Sequence, residues 1–175
     1  MSVEEIREIF AKVTERYEAP VQIGSRCEAN TFYRLEDLDP ADLSICASYI
    51  AERIVNVCQA NLPQILIDLP GSFTGLAAEL AKELAPAGEE LEVITYQKLQ
   101  GGNGATGKIK NADVVLVNDV ITTARSCLEA HTQVTMLGAR VLCWAALVDR
   151  TFGPGPVSVV ASFTGEPVRL LDDLR

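Results

Sequence analysis

The stretch VVLVNDVITTARS, residues 114–126, says the most about how this chain folds. Its first four residues are apolar, which is typical of a central strand buried on both faces of a parallel sheet. The stretch continues through Asn118 and Asp119 into a turn rich in hydroxyl groups, and a helix is predicted to follow. The first amides of a helix have no partner inside it, so together with neighbouring hydroxyls they can hold an anion. The stretch therefore predicts an anion site at the end of a buried strand.

Apolar strands and amphipathic helices alternate along the chain after about residue 60. The predicted strands are residues 64–68, 91–95, 114–117, 141–148 and 157–161. Helices are predicted near residues 76–84 and up to about 133. Repeated strand-helix-strand units of this length favour a parallel sheet covered by helices, and we expect a single domain over residues 1–175.

The first 60 residues have a different pattern. A capping box at Ser2 and Glu5 and apolar residues at helical spacing predict a helix that ends near Ala19-Pro20. Val21 to Leu38 has no helical period and predicts a small, irregular β element, which with the preceding residues covers about 18–38. A second helix is predicted to begin at Asp39-Pro40.

Composition excludes several classes of protein. A net charge of -9 and a pI near 4.6 disfavour nucleic acid as a partner. No apolar stretch approaches the roughly 20 residues of a membrane span, and the acidic N-terminus is unlike a secretory signal, so no membrane association and a cytoplasmic location are expected. The five scattered cysteines predict neither a disulfide framework nor a zinc site.

The 114–126 stretch resembles the phosphoribosyl pyrophosphate motif of the type I phosphoribosyltransferases, and within that family the orotate phosphoribosyltransferases are the most similar. They share the wording DVITT, a strand end like LVDR at 147–150 and a closing segment like PVRLLDDL at 167–174. The resemblance implies a central parallel sheet flanked by helices with a small N-terminal β hood. It also implies an enzyme that transfers ribose 5-phosphate from phosphoribosyl pyrophosphate to a nucleobase, orotate first, and releases pyrophosphate.

The resemblance gives roles to individual residues near the predicted anion site. Asp119 would bind a ribose hydroxyl or a magnesium-bound water, with Asn118 beside it. The residues implied to wrap the 5'-phosphate are Thr122, Thr123, Ala124, Arg125 and Ser126. Asp68 to Gly75, including Gly71 and Ser72, would face the pyrophosphate. Mg²⁺ would be carried mainly by the pyrophosphate oxygens of the substrate.

Other implied roles belong to the hood and to a lid. Phe32 and Tyr33 would stack on a flat base, and Arg150 would meet the carboxylate of an acidic base. Residues 96–110, rich in glycine, would form a flexible lid that excludes water, with Lys98 as its catalytic cation. In this family the lid often serves the neighbouring subunit, so a homodimer is expected.

Simpler interpretations stand beside these roles. Phe32 and Tyr33 could be hood core, Arg150 a surface partner of Asp149, and Asp68 and Lys98 ordinary polar residues. Arg125 could contact phosphate or point to solvent. Cys127 and His131 lie four apart on the predicted helix and could form a thiol-imidazole pair, although a buried Cys and a lone His are favoured.

The chain departs from the family pattern where the chemistry would occur. Asn118 replaces the first acid of the usual pair, and Ala124 and Arg125 replace two glycines of the phosphate loop. The lid keeps only Lys98 of its usual cations, and Arg26 is offset from the position of an expected lysine. These departures motivate an alternative, a regulatory protein that binds phosphoribosyl pyrophosphate or a nucleotide without transfer. A purine-type transferase is a third, weaker alternative.

Overall fold

A computed structural model describes residues 2–23, 27–59, 61–102, 104–151 and 155–170. Arg26, Asn103 in the expected lid and residues 171–174 of the closing segment lie outside them. The elements are α1 (Val3–Lys12), β1 (Thr14–Ile23), β2 (Cys27–Tyr33), α2 (Pro40–Cys58), β3 (Ile65–Asp68), α3 (Leu76–Leu84), β4 (Glu92–Thr95), α4 (Tyr96–Gln100), α5 (Ala105–Ile109), β5 (Asp113–Ile121), α6 (Arg125–Met136), β6 (Arg140–Asp149), β7 (Val159–Thr164) and β8 (Arg169–Leu170). None of the helices described is long and apolar enough to cross a membrane.

Two sheets organise the molecule. The larger has five parallel strands in the order β4-β3-β5-β6-β7, which confirms the predicted fold class. The smaller is antiparallel, in the order β1-β2-β8, and forms the hood. The strand β5 lies at the centre of the larger sheet, so the predicted anion site follows its most protected strand.

The core lies on both faces of the larger sheet. Val115 and Val117 point to the face covered by α1, α2 and α3, while Val114 and Leu116 point to the face covered by α4, α5 and α6. All four side chains are buried. The apolar run 114–117 is therefore buried on both faces of the sheet, as predicted, because its side chains alternate between the faces.

The predicted N-terminal helix is too long. It ends at Lys12, and Thr14 to Arg16 pair instead with Thr31 to Tyr33 of β2. The Arg34 amide donates to the Val13 carbonyl, which ties the helix end to the hood. The pairing with β2 overrides the helical spacing, since β-branched and aromatic residues fit a strand well. The hood therefore begins earlier than expected and gains a third strand, β8, near the C-terminus.

Three other predictions need correction. The strand β5 does not end at Val117 but continues to Ile121. The last strand of the larger sheet covers Val159–Thr164 rather than 157–161. The expected lid is not one loop: α4 and α5 occupy most of it, because Tyr96, Leu99 and Ile109 are buried in the core beside α6.

Candidate phosphate-binding site

A small cavity lies where β5 turns into α6. It has a volume of about 110 Å³ and is lined by Asn118, Val120, Ile121, Thr122, Thr123, Ala124, Arg125, Ser126 and Cys127. The predicted phosphate loop, residues 122–126, thus surrounds a single concave space. The cavity is lined by hydroxyl groups and by the start of α6, which suit a phosphate group.

Ala124 gives the phosphate loop its turn. Its φ is +58°, in the left-handed region that residues with a Cβ adopt at a cost, and it caps the N-terminus of α6. The Leu128 amide donates to the Ala124 carbonyl and starts the helix. This is the conformation for which glycine is suited, so the chain keeps the turn although it lacks the glycine.

Arg125 lies along the outer surface of α6. Its Nε donates to Glu129 Oε1 over 2.8 Å, and both side chains are exposed. The sequence left open whether Arg125 contacts phosphate or points to solvent. The guanidinium lies on the solvent side, where it pairs with Glu129. Glu129 was not singled out by the sequence, although its spacing of four from Arg125 is the signal for such a pair.

Asn118 and Asp119 contact different loops. Asn118 lines the phosphate-loop cavity, and its Oδ1 accepts a 2.9 Å hydrogen bond from the Asp119 amide. Asp119 is only 2% exposed, and its carboxylate contacts the loop that follows β3. The neutral amide, not the acid, therefore faces the phosphate loop.

The Asp119 carboxylate is occupied by the loop that follows β3. Its Oδ2 accepts from the amides of Phe73 (2.8 Å) and Thr74 (3.1 Å). Its Oδ1 accepts from the hydroxyls of Ser72 (3.1 Å) and Thr74 (2.6 Å). The predicted contact of Asp119 with a ribose hydroxyl or metal-bound water is not the arrangement seen, since four donors of the chain already surround it. The sequence missed Thr74, which the hydroxyl-rich stretch GSFTG at 71–75 could have indicated.

Asp68 ends β3 beside this loop. Its Oδ1 is buried and has no hydrogen-bond partner. Burial raises the pKa of Asp68; the Ser72 hydroxyl opposes the rise and the nearby Asp119 charge adds to it. Gly71 and Gly75 adopt left-handed φ values of +91° and +82°, and the space around each Cβ position is open. The loop at 71–75 thus lies beside an acid of which one oxygen, Oδ1, lacks a hydrogen-bond partner.

Arg150 is not at a ligand-facing surface. It is 3% exposed; its Nε donates to the Glu166 carbonyl (2.7 Å), and Nη1 and Nη2 donate to Thr31. The guanidinium also lies over the Tyr33 ring, 5.3 Å from its centre. The predicted contact with a base carboxylate and the alternative surface pair with Asp149 are both corrected by this burial. Arg150 instead joins the hood to the end of β6.

The two hood aromatics differ. Tyr33 is 7% exposed, packs edge-on against Phe10 and Phe163, and accepts a hydrogen bond from the Glu166 amide. It is hood core, so its predicted stacking on a base is corrected. Phe32 is 38% exposed and remains available to a flat ligand.

Two further candidates have simple positions. Lys98 is exposed on α4, away from the buried face formed by Tyr96 and Leu99. Cys127 is buried, which raises the pKa of its thiol to about 12, and a hydrogen bond with Asn118 opposes the rise. The His131 Nδ1 is buried without a partner and its ring contacts Trp144 edge-on. The thiol-imidazole pair is therefore not formed.

Comparison with known proteins finds similar architectures among solved structures. No protein-family model matches the chain, and no curated protein matches it. Among solved structures, orotate phosphoribosyltransferase of Francisella tularensis aligns with 93% of this chain and 84% of its own at a TM-score of 0.61 and 16% identity. Orotate phosphoribosyltransferase from Aeropyrum pernix aligns with 94% and 93% at 0.57 and 19%.

A solved structure that is not an orotate phosphoribosyltransferase is also similar. The HGPRT-ase from Leishmania tarentolae, in complex with GMP, aligns with 72% of this chain and 78% of its own at a TM-score of 0.55 and 15% identity. Identities this low establish architecture and leave the substrate open. The parallel sheet, the hood and the turn after β5 together show that this chain has the type I phosphoribosyltransferase fold.

Proposed function

We propose that the protein is a phosphoribosyltransferase that transfers ribose 5-phosphate from phosphoribosyl pyrophosphate to a nucleobase, with release of pyrophosphate. The observation that carries the proposal is the cavity formed by residues 122–126 at the end of the central strand. The likeness to solved orotate phosphoribosyltransferases makes orotate the first base to test.

In this proposal the phosphate loop binds the 5'-phosphate. Thr122, Thr123 and Ser126 supply hydroxyls, the N-terminus of α6 supplies amides, and Asn118 offers its side chain to the sugar. The transition state of this transfer develops positive charge on the sugar carbon and negative charge on the leaving pyrophosphate. The chain therefore acts by positioning and by charge stabilisation rather than by covalent catalysis.

Magnesium fits the site as a cation carried mainly by the substrate. No cluster of three or more His, Cys, Asp or Glu side chains that could hold a metal occurs among the residues described. Asp68, with a buried oxygen that has no partner, is the acid that would contact the ion. When bound, Mg²⁺ would neutralise charge on the pyrophosphate, and one or two carboxylates are its usual protein ligands in such sites.

The choice of base rests on the likeness to the solved orotate phosphoribosyltransferases. Arg150 and Tyr33 contact other residues of the hood, so of the two predicted aromatics Phe32 is the exposed one that could stack on a base. Lys98 remains a proposed cation for the leaving group from its exposed place on α4. A purine base stays a second possibility for the same reaction.

The test is calorimetric titration of phosphoribosyl pyrophosphate with Mg²⁺, followed by an assay of pyrophosphate release with orotate and then with hypoxanthine. The variant Thr123→Val should lower the affinity at least tenfold, since it removes a hydroxyl from the cavity. Its matched control is Thr132→Val, on α6 and outside the cavity, which should leave the affinity within twofold. Absence of binding to the wild-type protein would contradict the proposal.

A second candidate function is binding without transfer, in a regulatory role. Two observations favour it: donors from the chain occupy the Asp119 carboxylate, and Arg125 is paired with Glu129. Both reduce the charged groups available to a reacting sugar phosphate. The variant Asn118→Asp separates the two candidates, because a weakened enzyme should gain turnover from the added carboxylate, whereas a binding protein should stay inactive.

Two further properties stay predictions. We propose a homodimer, which sedimentation would show as twice the chain mass of 18.9 kDa. A cytoplasmic location is proposed as well, and fractionation of cells that produce the protein would test it.

A further inference from the structure

The Asp119 carboxylate joins two parts of the molecule that are distant in sequence. It lies on β5, three residues before the phosphate loop begins, and its partners Ser72, Phe73 and Thr74 lie 45 to 47 residues earlier. Every one of the four contacts has the carboxylate as acceptor. The strand β5 therefore leads into the phosphate loop and, through Asp119, also holds the 71–75 loop.

Apart from those with Asp119, the contacts of the 71–75 loop are with its own flanking residues, such as the Leu76 amide that donates to the Thr74 hydroxyl. Its ends, Gly71 and Gly75, have left-handed φ values, and the Ser72 amide donates to the Leu69 carbonyl over 3.3 Å. The next contacts along the loop are those with Asp119. Since glycine loses more conformational freedom on folding than any other residue, a loop bounded by two glycines needs such contacts to hold one conformation.

A carboxylate is required at this position. Two backbone amides and two hydroxyls converge on a group that is 2% exposed. An ionised carboxyl only accepts hydrogen bonds, whereas an asparagine amide would turn two of its own N–H bonds toward donors. Removing this acceptor would leave the amides of Phe73 and Thr74 without this partner, and the loop would have to change shape to satisfy them.

We propose that Asp119 is a positioning residue that sets the conformation of the 71–75 loop for the pyrophosphate group and does not contact the sugar. The inference rests on the proposed function for the identity of the ligand. In this proposal, Asp119 affects the pyrophosphate leaving group through Phe73 and Thr74. The sugar side of the site is left to the neutral Asn118.

Calorimetry with two separate probes tests the proposal: inorganic pyrophosphate with Mg²⁺, and ribose 5-phosphate. For Asp119→Asn we expect the affinity for pyrophosphate to fall at least tenfold and that for ribose 5-phosphate to stay within twofold. Loss of ribose 5-phosphate affinity with pyrophosphate unchanged would overturn the proposal, because it would place Asp119 on the sugar.

Two variants of Thr74 guard against a failure of Asp119→Asn to fold. Thr74→Val removes the hydroxyl, and with it the bond to Asp119 and the bond from the Leu76 amide, and should weaken pyrophosphate binding, while Thr74→Ser keeps the hydroxyl and should restore it. Equal affinity in both Thr74 variants would count against the role of this contact network.

Amide hydrogen exchange tests the loop without any ligand. In Asp119→Asn the amides of Phe73 and Thr74 should exchange at least tenfold faster, whereas the central β5 amides of Val115 and Val117 should keep their protection. Unchanged exchange at Phe73 and Thr74 would overturn the proposal. If the wild-type protein binds neither probe, the proposed function fails, and the exchange result alone decides whether Asp119 fixes the loop.

Discussion

Three ionisable side chains near the site, Asp119, Arg150 and Asp68, differ in how their charge is balanced. Asp119 and Arg150 are both at most 3% exposed, and each is surrounded by partners of the opposite hydrogen-bonding type. Asp68 keeps a buried oxygen without a partner. A buried polar group without a hydrogen bond carries a free-energy cost, so Asp68 is the one of the three that a ligand would satisfy.

Replacing Arg150 should destabilise the whole protein rather than only a base contact. Arg150→Met leaves two carbonyls and a hydroxyl of Thr31 and Glu166 without a donor, and each such group costs about 1–3 kcal/mol. We expect the free energy of unfolding to fall by about 3 kcal/mol in urea denaturation. Arg53→Met, at an exposed arginine on α2 that also contacts a tyrosine, should change it by less than about 1 kcal/mol. Similar losses in both variants would contradict the anchoring role.

Asp68 predicts a dependence of stability on pH. Because its pKa is higher in the folded state, the folded protein binds the proton more tightly, and its contribution to stability decreases as pH rises above the ordinary value of 3.8. Asp68→Asn should therefore raise the melting temperature at pH 7, and the gain should vanish near pH 3. Asp37→Asn, an exposed position, controls for removing a charge from an acidic protein. An equal gain at both pH values would show that burial of the charge is not the cause.

Ala124 predicts a stabilising substitution inside the phosphate loop. A non-glycine residue in the left-handed region costs about 1–2 kcal/mol, so Ala124→Gly should raise the free energy of unfolding by roughly 1 kcal/mol after the entropy of the unfolded chain is counted. Ala81→Gly, in the interior of α3, should lower it by about 1 kcal/mol. A loss at both positions in thermal unfolding would show that the turn tolerates alanine without strain.

At the scale of elements, predictions from local pattern succeeded where packing agrees with the pattern. The strands and helices of the larger sheet were found in order, because buried strands and amphipathic helices have distinct periods. The predicted end of α1 and the prediction of residues 96–110 as one loop were wrong for the same reason. In both, contacts with distant segments changed the local preference: Thr14 pairs with Tyr33, and Leu99 is buried beside α6.

The two short helices of the expected lid should be part of the stable core. Leu99 is 2% exposed, so Leu99→Ala should lower the free energy of unfolding by about 2–5 kcal/mol, the range for emptying a buried leucine site. Gln97→Ala, exposed on the same helix, should stay within about 0.5 kcal/mol. A small effect of Leu99→Ala in urea denaturation would indicate that α4 detaches easily and acts as a mobile lid.

At the scale of the whole molecule, charge opposes the proposed ligand. The net charge of -9 repels phosphorylated compounds, and the repulsion extends over about 30 Å at 0.01 M salt but only about 8 Å at 0.15 M. The site must therefore attract its ligand over short distances, through amides and hydroxyls.

Salt should consequently help binding. Between 0.01 and 0.15 M potassium acetate, we expect the association rate of phosphoribosyl pyrophosphate, with Mg²⁺ held constant, to rise roughly twofold in stopped-flow measurements. A binding surface rich in cations would respond in the opposite direction. A rate that falls with salt would mean that local cations, such as Arg125 or Lys98, dominate the approach of the ligand.

The parallel α/β core, a small β element near the N-terminus and the hydroxyl-rich turn after β5 could be predicted from the sequence, since they follow from apolar periodicity and from the chemistry of residues close together in the chain. Only the tertiary structure decided what the charged residues do. Asp119 contacts the 72–74 loop because the parallel pairing of β3 with β5 brings together segments that are 45 to 47 residues apart. Arg150 is buried because the hood closes over the end of β6, and neither contact is encoded in neighbouring residues.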